Sequence, residues 1–177
     1  MNQHATLDSY GVLTGPDTLK IERLLPGPIE RVWAFLTESE LRRQWFAAGE
    51  MDLTVGAPFE LVWRNDELTD PPGERPPGMG GEHSMQSQIT ELDPPHKLGF
   101  SWGATGSVTF ELKEQGDEVR LTVIHRRVAD RSALRNFSAG WHAHLAILAA
   151  RIAGTAPAPF WDQWAEIKAE YDQRLAD

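Results

Sequence analysis

The sequence predicts an α+β fold in which a curved antiparallel sheet of about six or seven strands wraps around a long C-terminal helix. Two observations carry this prediction. Between residues 18 and 127, short segments with apolar side chains at every second position are separated by turn residues. After Asp130 the apolar spacing changes to three or four residues, which is the helical period. Turns rather than helical crossovers link the strands, so we expect an antiparallel sheet.

The first predicted strand covers residues 18–25, where Leu19 and Ile21 alternate with charged side chains. Pro28 then suits the first turn of a helix, because a helix leaves the N–H of that position unpaired. The spacing of apolar residues predicts that this helix buries four side chains, Ile29, Val32, Trp33 and Leu36.

A second short helix is expected directly after the first. Thr37 and Glu40 have the spacing of a capping box, and the helix would carry Leu41, Trp45 and Phe46. Residues 57–64 alternate again and predict a strand. The segment 65–81 that follows is rich in proline and glycine and has no periodicity, which is typical of a functional or mobile loop.

Four further strands and two helices complete the predicted order. The strands are centred on residues 82–92, 98–102, 108–112 and 118–127, and Gln115-Gly116-Asp117 predicts a tight hairpin between the last two. The long helix buries apolar residues from Leu134 to Ile152, and Gly154 is its expected end. Beyond Pro157 and Pro159, a terminal helix carries an apolar stripe: Trp161, Trp164, Ile167, Tyr171 and Leu175.

Composition excludes several classes of protein. The chain has 177 residues, enough for one domain with a core, and its formal charge of −9 argues against a nucleic-acid surface. It has no cysteine, which excludes a disulfide framework, a thiolate metal site and a cysteine nucleophile. Residues 1–8 contain no basic segment followed by an apolar run, and no apolar stretch is long enough for a bilayer. We therefore expect a cytoplasmic protein without membrane insertion.

This order of elements resembles the START/birch-pollen-allergen (SRPBCC) superfamily, whose fold is the helix-grip fold. Within it, the chain is similar to the branch named after the C-terminal domain of the activator of the heat-shock-protein-90 ATPase. The resemblance covers roughly residues 19–154 and rests on stretches spread along the chain: Pro28 to Trp33, Leu41 to Phe46, Gly56 to Leu61, Ile89 to Trp102, and Gly140-Trp141 followed by Leu145 and Leu148. The predicted division is an N-terminal extension (1–16), the helix-grip domain (17–154) and a C-terminal helical extension (155–177).

The resemblance implies a cavity between the sheet and the long helix. Inward strand positions and the inward helix face supply the candidate lining, Trp33, Phe59, Leu61, Trp63, Met85, Phe100, Trp102, Phe110, Leu121, Trp141, Leu145 and Leu148. Such a lining suits a hydrophobic or aromatic ligand. The same spacing is typical of side chains that fill a core, and the residues alone favour that interpretation, whereas the resemblance favours an open cavity about equally.

Histidines are the candidate polar groups of the cavity. His83 shares the strand parity of Met85, His125 shares that of the apolar residues on the last strand, and His144 is expected beside Trp141. The alternative is a histidine in water or bonded to backbone. His142 is expected to be exposed, since two residues along a helix diverge by about 200°, and for the same reason a zinc site is not predicted.

Two segments carry open alternatives. The loop 65–81 either covers one end of the cavity or is a surface insertion. The terminal helix packs on the outer face of the sheet or against a second copy of the chain, and we favour a homodimer because large exposed aromatic stripes are rare on monomers.

Three candidate functions are compatible with these sequence features and with the resemblance. The first is binding of a hydrophobic or aromatic small molecule, without chemistry or cofactor. The second, implied by the superfamily, is a polyketide cyclase or aromatase in which an inward histidine or glutamate acts as acid or base. The third, implied by the name of the branch, is a cochaperone that activates a chaperone ATPase. The eukaryotic cochaperone carries a separate N-terminal domain with no counterpart in this sequence, so we expect the third least. The fold alone does not choose among them.

Overall fold

A computed structural model describes residues 10–79 and 81–176 of the chain. In this part of the chain, seven strands form one sheet in the order β1-β2-β7-β6-β5-β4-β3, and every neighbouring pair is antiparallel. The strands are β1 (Val12–Gly15), β2 (Thr18–Pro26), β3 (Pro58–Trp63), β4 (His83–Asp93), β5 (Lys97–Trp102), β6 (Gly106–Gln115) and β7 (Glu118–Arg126). The predicted α+β class and strand number are confirmed.

The helices of the same residues follow the predicted order. They are α1 (Ile29–Thr37), α2 (Ser39–Arg42), α3 (Arg131–Ala153) and α4 (Phe160–Arg174), with a short 3₁₀ turn at Asn65–Glu67. The predicted hairpin joins β6 to β7 through Gly116, whose φ of 63° is in the left-handed region that glycine tolerates. Strand β1 is an edge strand that the alternation pattern did not predict. It lies within the predicted extension 1–16, of which residues 1–9 fall outside the described residues.

The inner face of the sheet is a continuous apolar layer. Leu19 on β2 lies opposite His125 on β7, which in turn lies opposite Val108 on β6, and Val108 lies opposite Phe100 on β5. All four side chains are buried. Because strand residues alternate between faces, this run of buried side chains, apolar except for His125, faces α3 across four strands.

Helix α3 has the ends that its sequence predicts. The carboxylate of Asp130 accepts a hydrogen bond of 2.8 Å from the backbone N–H of Ala133, which caps the N-terminus. Gly154 ends the helix in the left-handed conformation with φ of 75°. The 23-residue helix packs against β2 with its apolar face inward.

Helix α2 is shorter than predicted, and the capping box does not form. The Thr37 hydroxyl donates to the carbonyl of Trp33 instead. The connection after α2 is organised by the buried guanidinium of Arg42, which donates to the carbonyls of four residues: Leu36, Thr37, Ala47 and Gly49. Burial lowers the pKa of Arg42 to about 10, and the carboxylate of Glu50 opposes that shift. These bonds hold the connection that carries Trp45 and Phe46.

Helix α4 packs against α3 and the 3₁₀ turn of its own chain, so the predicted position on the outer face of the sheet is wrong, whereas the homodimer stays a prediction. It does not lie on the outer face of the sheet. Trp161 is 2% exposed within its own chain, so the exposed aromatic stripe that favoured a homodimer is largely absent. His142 was expected to be exposed, but it is buried because α4 packs on α3, and its Nδ1 lies 3.0 Å from the hydroxyl of Tyr171 on α4.

None of the helices in residues 10–79 and 81–176 is long and apolar enough to cross a membrane.

Candidate functional site

A pocket of about 530 Å³ opens between one end of the sheet, α3 and α4. Its volume is in the range that accommodates drug-sized ligands. The lining is mostly aromatic, and five of its fifteen residues are tryptophans. The residues are Phe46, Trp63, Asn65, Met79, Glu82, His83, Met85, Trp102, Asn136, Phe137, Gly140, Trp141, His144, Trp161 and Trp164.

Four of the twelve predicted lining residues contact this pocket: Trp63, Met85, Trp102 and Trp141. Of the others, Trp33 is half-buried on α1, and seven are buried in the core outside the lining. Those seven are Phe59, Leu61, Phe100, Phe110, Leu121, Leu145 and Leu148. Strand parity and helical spacing correctly predict that these side chains point inward. These patterns do not specify which part of the inner face is filled by the connection after α2.

The filling comes from Trp45 and Phe46. The indole of Trp45 is fully buried, lies 6.3 Å from the ring of Phe110, and donates to the carbonyl of Phe35 over 2.8 Å. Phe46 stacks on Trp45 at 5.2 Å and on Trp141 at 4.9 Å. Phe46 is therefore the boundary between the filled core and the open pocket.

Gly140 forms part of the pocket wall in the middle of α3. A Cβ added to Gly140 would meet no atom within 4 Å, so the space beside this backbone is open. Glycine inside a helix costs about 1 kcal/mol relative to alanine. The missing side chain leaves room in the pocket at a position where the helix alone would favour a larger residue.

The three candidate histidines lie in different places. His83 and His144 line the pocket, His83 on its exposed rim and His144 at its inner wall. His125 is 1% exposed and lies outside the lining, where its Nδ1 accepts a hydrogen bond of 3.1 Å from the indole N–H of Trp141. Burial lowers the pKa of His125 to about 4, so its ring is neutral near pH 7 and orients Trp141.

His144 is oriented by a backbone group. Its Nδ1 lies 2.8 Å from the carbonyl oxygen of Trp45, and its ring is perpendicular to that of Phe46 at a centroid distance of 5.3 Å. The side chain is 6% exposed. Burial lowers the pKa of His144 to about 4, against the opposing effect of the bond to Trp45.

The outer wall of the pocket comes from α4 and the start of the 65–81 loop, which are tied together. The indole N–H of Trp161 donates to the Asp66 carboxylate over 2.7 Å, and its backbone N–H donates to the carbonyl of Pro72 over 2.9 Å. The N–H of Phe160 donates to the hydroxyl of Thr69 over 2.9 Å. The first half of the loop is therefore fixed against the helix that carries Trp161 and Trp164.

Most of this outer wall was not predicted from the sequence. The stripe that contains Trp161 and Trp164 was predicted, but the spacing along one helix does not identify the surface that covers it. The other unpredicted lining residues come from connections and from α3: Phe46, Asn65, Met79, Glu82, Asn136, Phe137 and Gly140. The Gly140-Trp141 pair could have indicated the pocket from the sequence. Glycine weakens a helix, so a glycine inside a strongly periodic helix indicates a packing or functional role.

The pocket carries little net charge. Glu82 is the one charged side chain in the described lining, and its carboxylate pairs with Arg64 at 2.9 Å on the exposed rim. Among residues 10–79 and 81–176, no group of three or more histidine or acidic side chains is arranged to hold a metal ion. The surface of the pocket is thus aromatic with a few neutral polar groups.

A second concavity, of about 700 Å³, lies on the outer face of the sheet. Its lining is charged, and its members interact with one another. Lys97 pairs with Glu91 at 3.3 Å, the hydroxyl of Thr122 donates to Glu22 over 2.9 Å, and Arg120 lies 3.7 Å from the same carboxylate. Despite its larger volume, it is a poorer site for an apolar ligand than the aromatic pocket, because its lining consists mainly of charged and hydroxyl side chains, several of which pair with one another.

The geometry defines a helix-grip fold, and comparison with known proteins agrees with that fold. The model of the family described as "Activator of Hsp90 ATPase homolog 1-like protein" matches residues 26–153. The chain belongs to this family, within the SRPBCC superfamily. No curated protein matches the chain.

Solved structures share the fold. A protein from Bordetella parapertussis, determined by NMR, is 38% identical with a TM-score of 0.78, and the match covers 100% of this chain and 97% of that one. CalU16 from Micromonospora echinospora is 20% identical with a TM-score of 0.65, covering 90% and 89%. A conserved protein of unknown function from Enterococcus faecalis is 20% identical with a TM-score of 0.68, covering 93% and 88%.

Proposed function

We propose that this protein binds a hydrophobic or aromatic small molecule in the pocket between the sheet, α3 and α4. The observation that carries the proposal is the combination of an aromatic lining with open space beside Gly140. A pocket that buries apolar ligand surface gains roughly 25 cal/mol per Å². The cytoplasmic location expected from the sequence is part of this proposal.

The structure offers less support for acid–base chemistry. A catalytic histidine is usually oriented by a carboxylate or placed beside one. In residues 10–79 and 81–176, no carboxylate hydrogen-bonds to the rings of His83, His125 or His144. His125 is also separated from the pocket by the indole of Trp141. Binding without chemistry is therefore the function that the site favours.

Binding is tested first by identifying any compound that co-purifies with the protein and then by titration with a probe. An organic extract of the purified protein, analysed by mass spectrometry, should contain a bound apolar compound. Calorimetric titration with 2-naphthol should show one site in the wild-type protein. A crystal structure with the pocket filled by the protein's own side chains would contradict the proposal.

The Gly140→Met variant places a side chain in the open space of the pocket. We expect 2-naphthol to bind at least tenfold more weakly, because the new side chain occupies ligand volume. Ala153→Met on the exposed end of the same helix is the matched control and should leave the affinity unchanged. Equal affinity in the two variants would remove Gly140 from the binding site.

A further inference from the structure

The inner wall of the pocket presents one nitrogen whose hydrogen-bonding role is determined by its surroundings. A backbone carbonyl oxygen only accepts hydrogen bonds, so the 2.8 Å contact between His144 and the carbonyl of Trp45 requires the proton to be on Nδ1. The other ring nitrogen, Nε2, then carries a lone pair.

The ring remains in this neutral form at ordinary pH. Burial lowers the pKa of His144 to about 4. Phe46 meets the ring at 90° and Phe160 lies 4.9 Å away, so the imidazole is held among aromatic side chains. Among the described residues, Nε2 has no hydrogen-bond partner. The pocket therefore contains a fixed acceptor that its own chain leaves unpaired.

Resting on the proposed function, we infer that the ligand carries an uncharged hydroxyl or N–H group that donates a hydrogen bond to Nε2 of His144. An anionic ligand would place its charge against this lone pair and against Glu82, with no lysine or arginine in the described lining. A cationic ligand would find no counter-ion in the described lining, because the carboxylate of Glu82 is already paired with Arg64. A neutral donor satisfies the acceptor without burying a charge.

The test compares two bicyclic probes that differ in one hydrogen-bond donor. 2-Naphthol carries a hydroxyl, and 2-methoxynaphthalene carries an ether oxygen that can only accept. In the wild-type protein we expect 2-naphthol to bind about tenfold more tightly, the ratio expected when a buried acceptor is satisfied by one ligand and left unpaired by the other.

Two variants separate Nε2 from the rest of the site. His144→Asn retains an N–H that can donate to the carbonyl of Trp45 but has no acceptor in the place of Nε2, so the ratio of the two affinities should fall close to one. His96→Asn is the matched control, because His96 is exposed in the turn between β4 and β5 and should retain the wild-type ratio.

Nitrogen-15 NMR of the wild-type imidazole supplies a measurement that needs no variant. We expect Nδ1 of His144 to be protonated and Nε2 to be unprotonated, with the Nε2 signal moving on addition of 2-naphthol but not of 2-methoxynaphthalene. A proton on Nε2 in the free protein, or an unchanged affinity ratio in His144→Asn, would overturn the inference. If both probes bind equally well, the proposed function stands and the inference fails. If neither binds, both fail.

Discussion

Two regions of the inner sheet face carry the same kind of aromatic side chains, but one region is filled by the core and the other lines an open pocket. In the closed region, the ring of Phe110 is covered by Trp45, and both side chains are buried. In the pocket region, Trp102 is only partly buried, and the helix opposite contributes Gly140 instead of a side chain. The difference shows that the connection after α2 determines where the core ends. The inward position of a strand residue does not decide whether it packs or lines a pocket.

The largest expected effect is the loss of stability caused by a substitution in the closed region. Phe110→Ala should lower the free energy of unfolding by about 3–5 kcal/mol, because a buried ring is replaced by a cavity. Chemical denaturation measures this loss. A loss below about 1 kcal/mol would mean that the closed region is loosely packed and that the contrast with the pocket is wrong.

The pH dependence of stability tests the buried histidine behind the pocket. The pKa of His125 is lowered to about 4 in the folded protein, against about 6.5 in the unfolded chain. Between these values the unfolded state binds more protons. The stabilisation from the neutral ring is therefore complete above pH 6.5 and is lost as pH falls toward 4, by about 3 kcal/mol.

Denaturation between pH 7 and 4 should show a smaller fall in stability for His125→Gln than for the wild-type protein. His144 has a similarly lowered pKa, so part of the pH dependence should remain. The exposed His96→Gln serves as control and should retain the wild-type profile. An identical profile in His125→Gln would show that the ring of His125 titrates alike in both states.

A smaller effect is expected where α4 is tied to the 65–81 loop. Asp66→Ala removes the acceptor for the indole N–H of Trp161 and should cost about 1–2 kcal/mol of stability, with weaker 2-naphthol binding because this wall loosens. Asp66→Asn keeps an acceptor oxygen and loses only the exposed ion pair with Arg75, which contributes little. Equal losses in the two variants would show that the bond to Trp161 is unimportant.

The smallest effect has the opposite sign. Gly140→Ala should raise the free energy of unfolding by about 0.5–1 kcal/mol, because alanine is the better helix former and its Cβ meets no atom. Thermal unfolding detects the change as a higher Tm. The same variant should bind 2-naphthol slightly more weakly. Destabilisation by Gly140→Ala would mean that the space beside the helix is already filled.

Much of the fold was predictable from the sequence because it depends on local periods and turn residues. The alternation of Leu19 and Ile21, the hairpin at Gly116 and the end of α3 at Gly154 are all local signals, and each is confirmed. Strand β1 was missed because four residues at an edge carry too little pattern. The capping box was predicted wrongly because Thr37 has a competing acceptor one turn earlier.

The site was less predictable, since it depends on contacts between distant elements. Periodicity places Trp102 and Trp141 on inward faces, and both line the pocket. It does not reveal that Trp161 and Trp164 return from a terminal helix to cover the same space. The burial of His142 has the same origin, because the partner that covers it is Tyr171 on α4.

The indole N–H signals of the seven tryptophans test the central claim most directly, through proton–nitrogen NMR during titration with 2-naphthol. We expect the signals of the five pocket tryptophans to move, namely Trp63, Trp102, Trp141, Trp161 and Trp164. The signals of Trp33 on α1 and of Trp45, whose N–H is bonded to Phe35, should stay in place. Movement of Trp33 or Trp45 without the pocket signals, or no movement at saturating probe, would contradict the central claim.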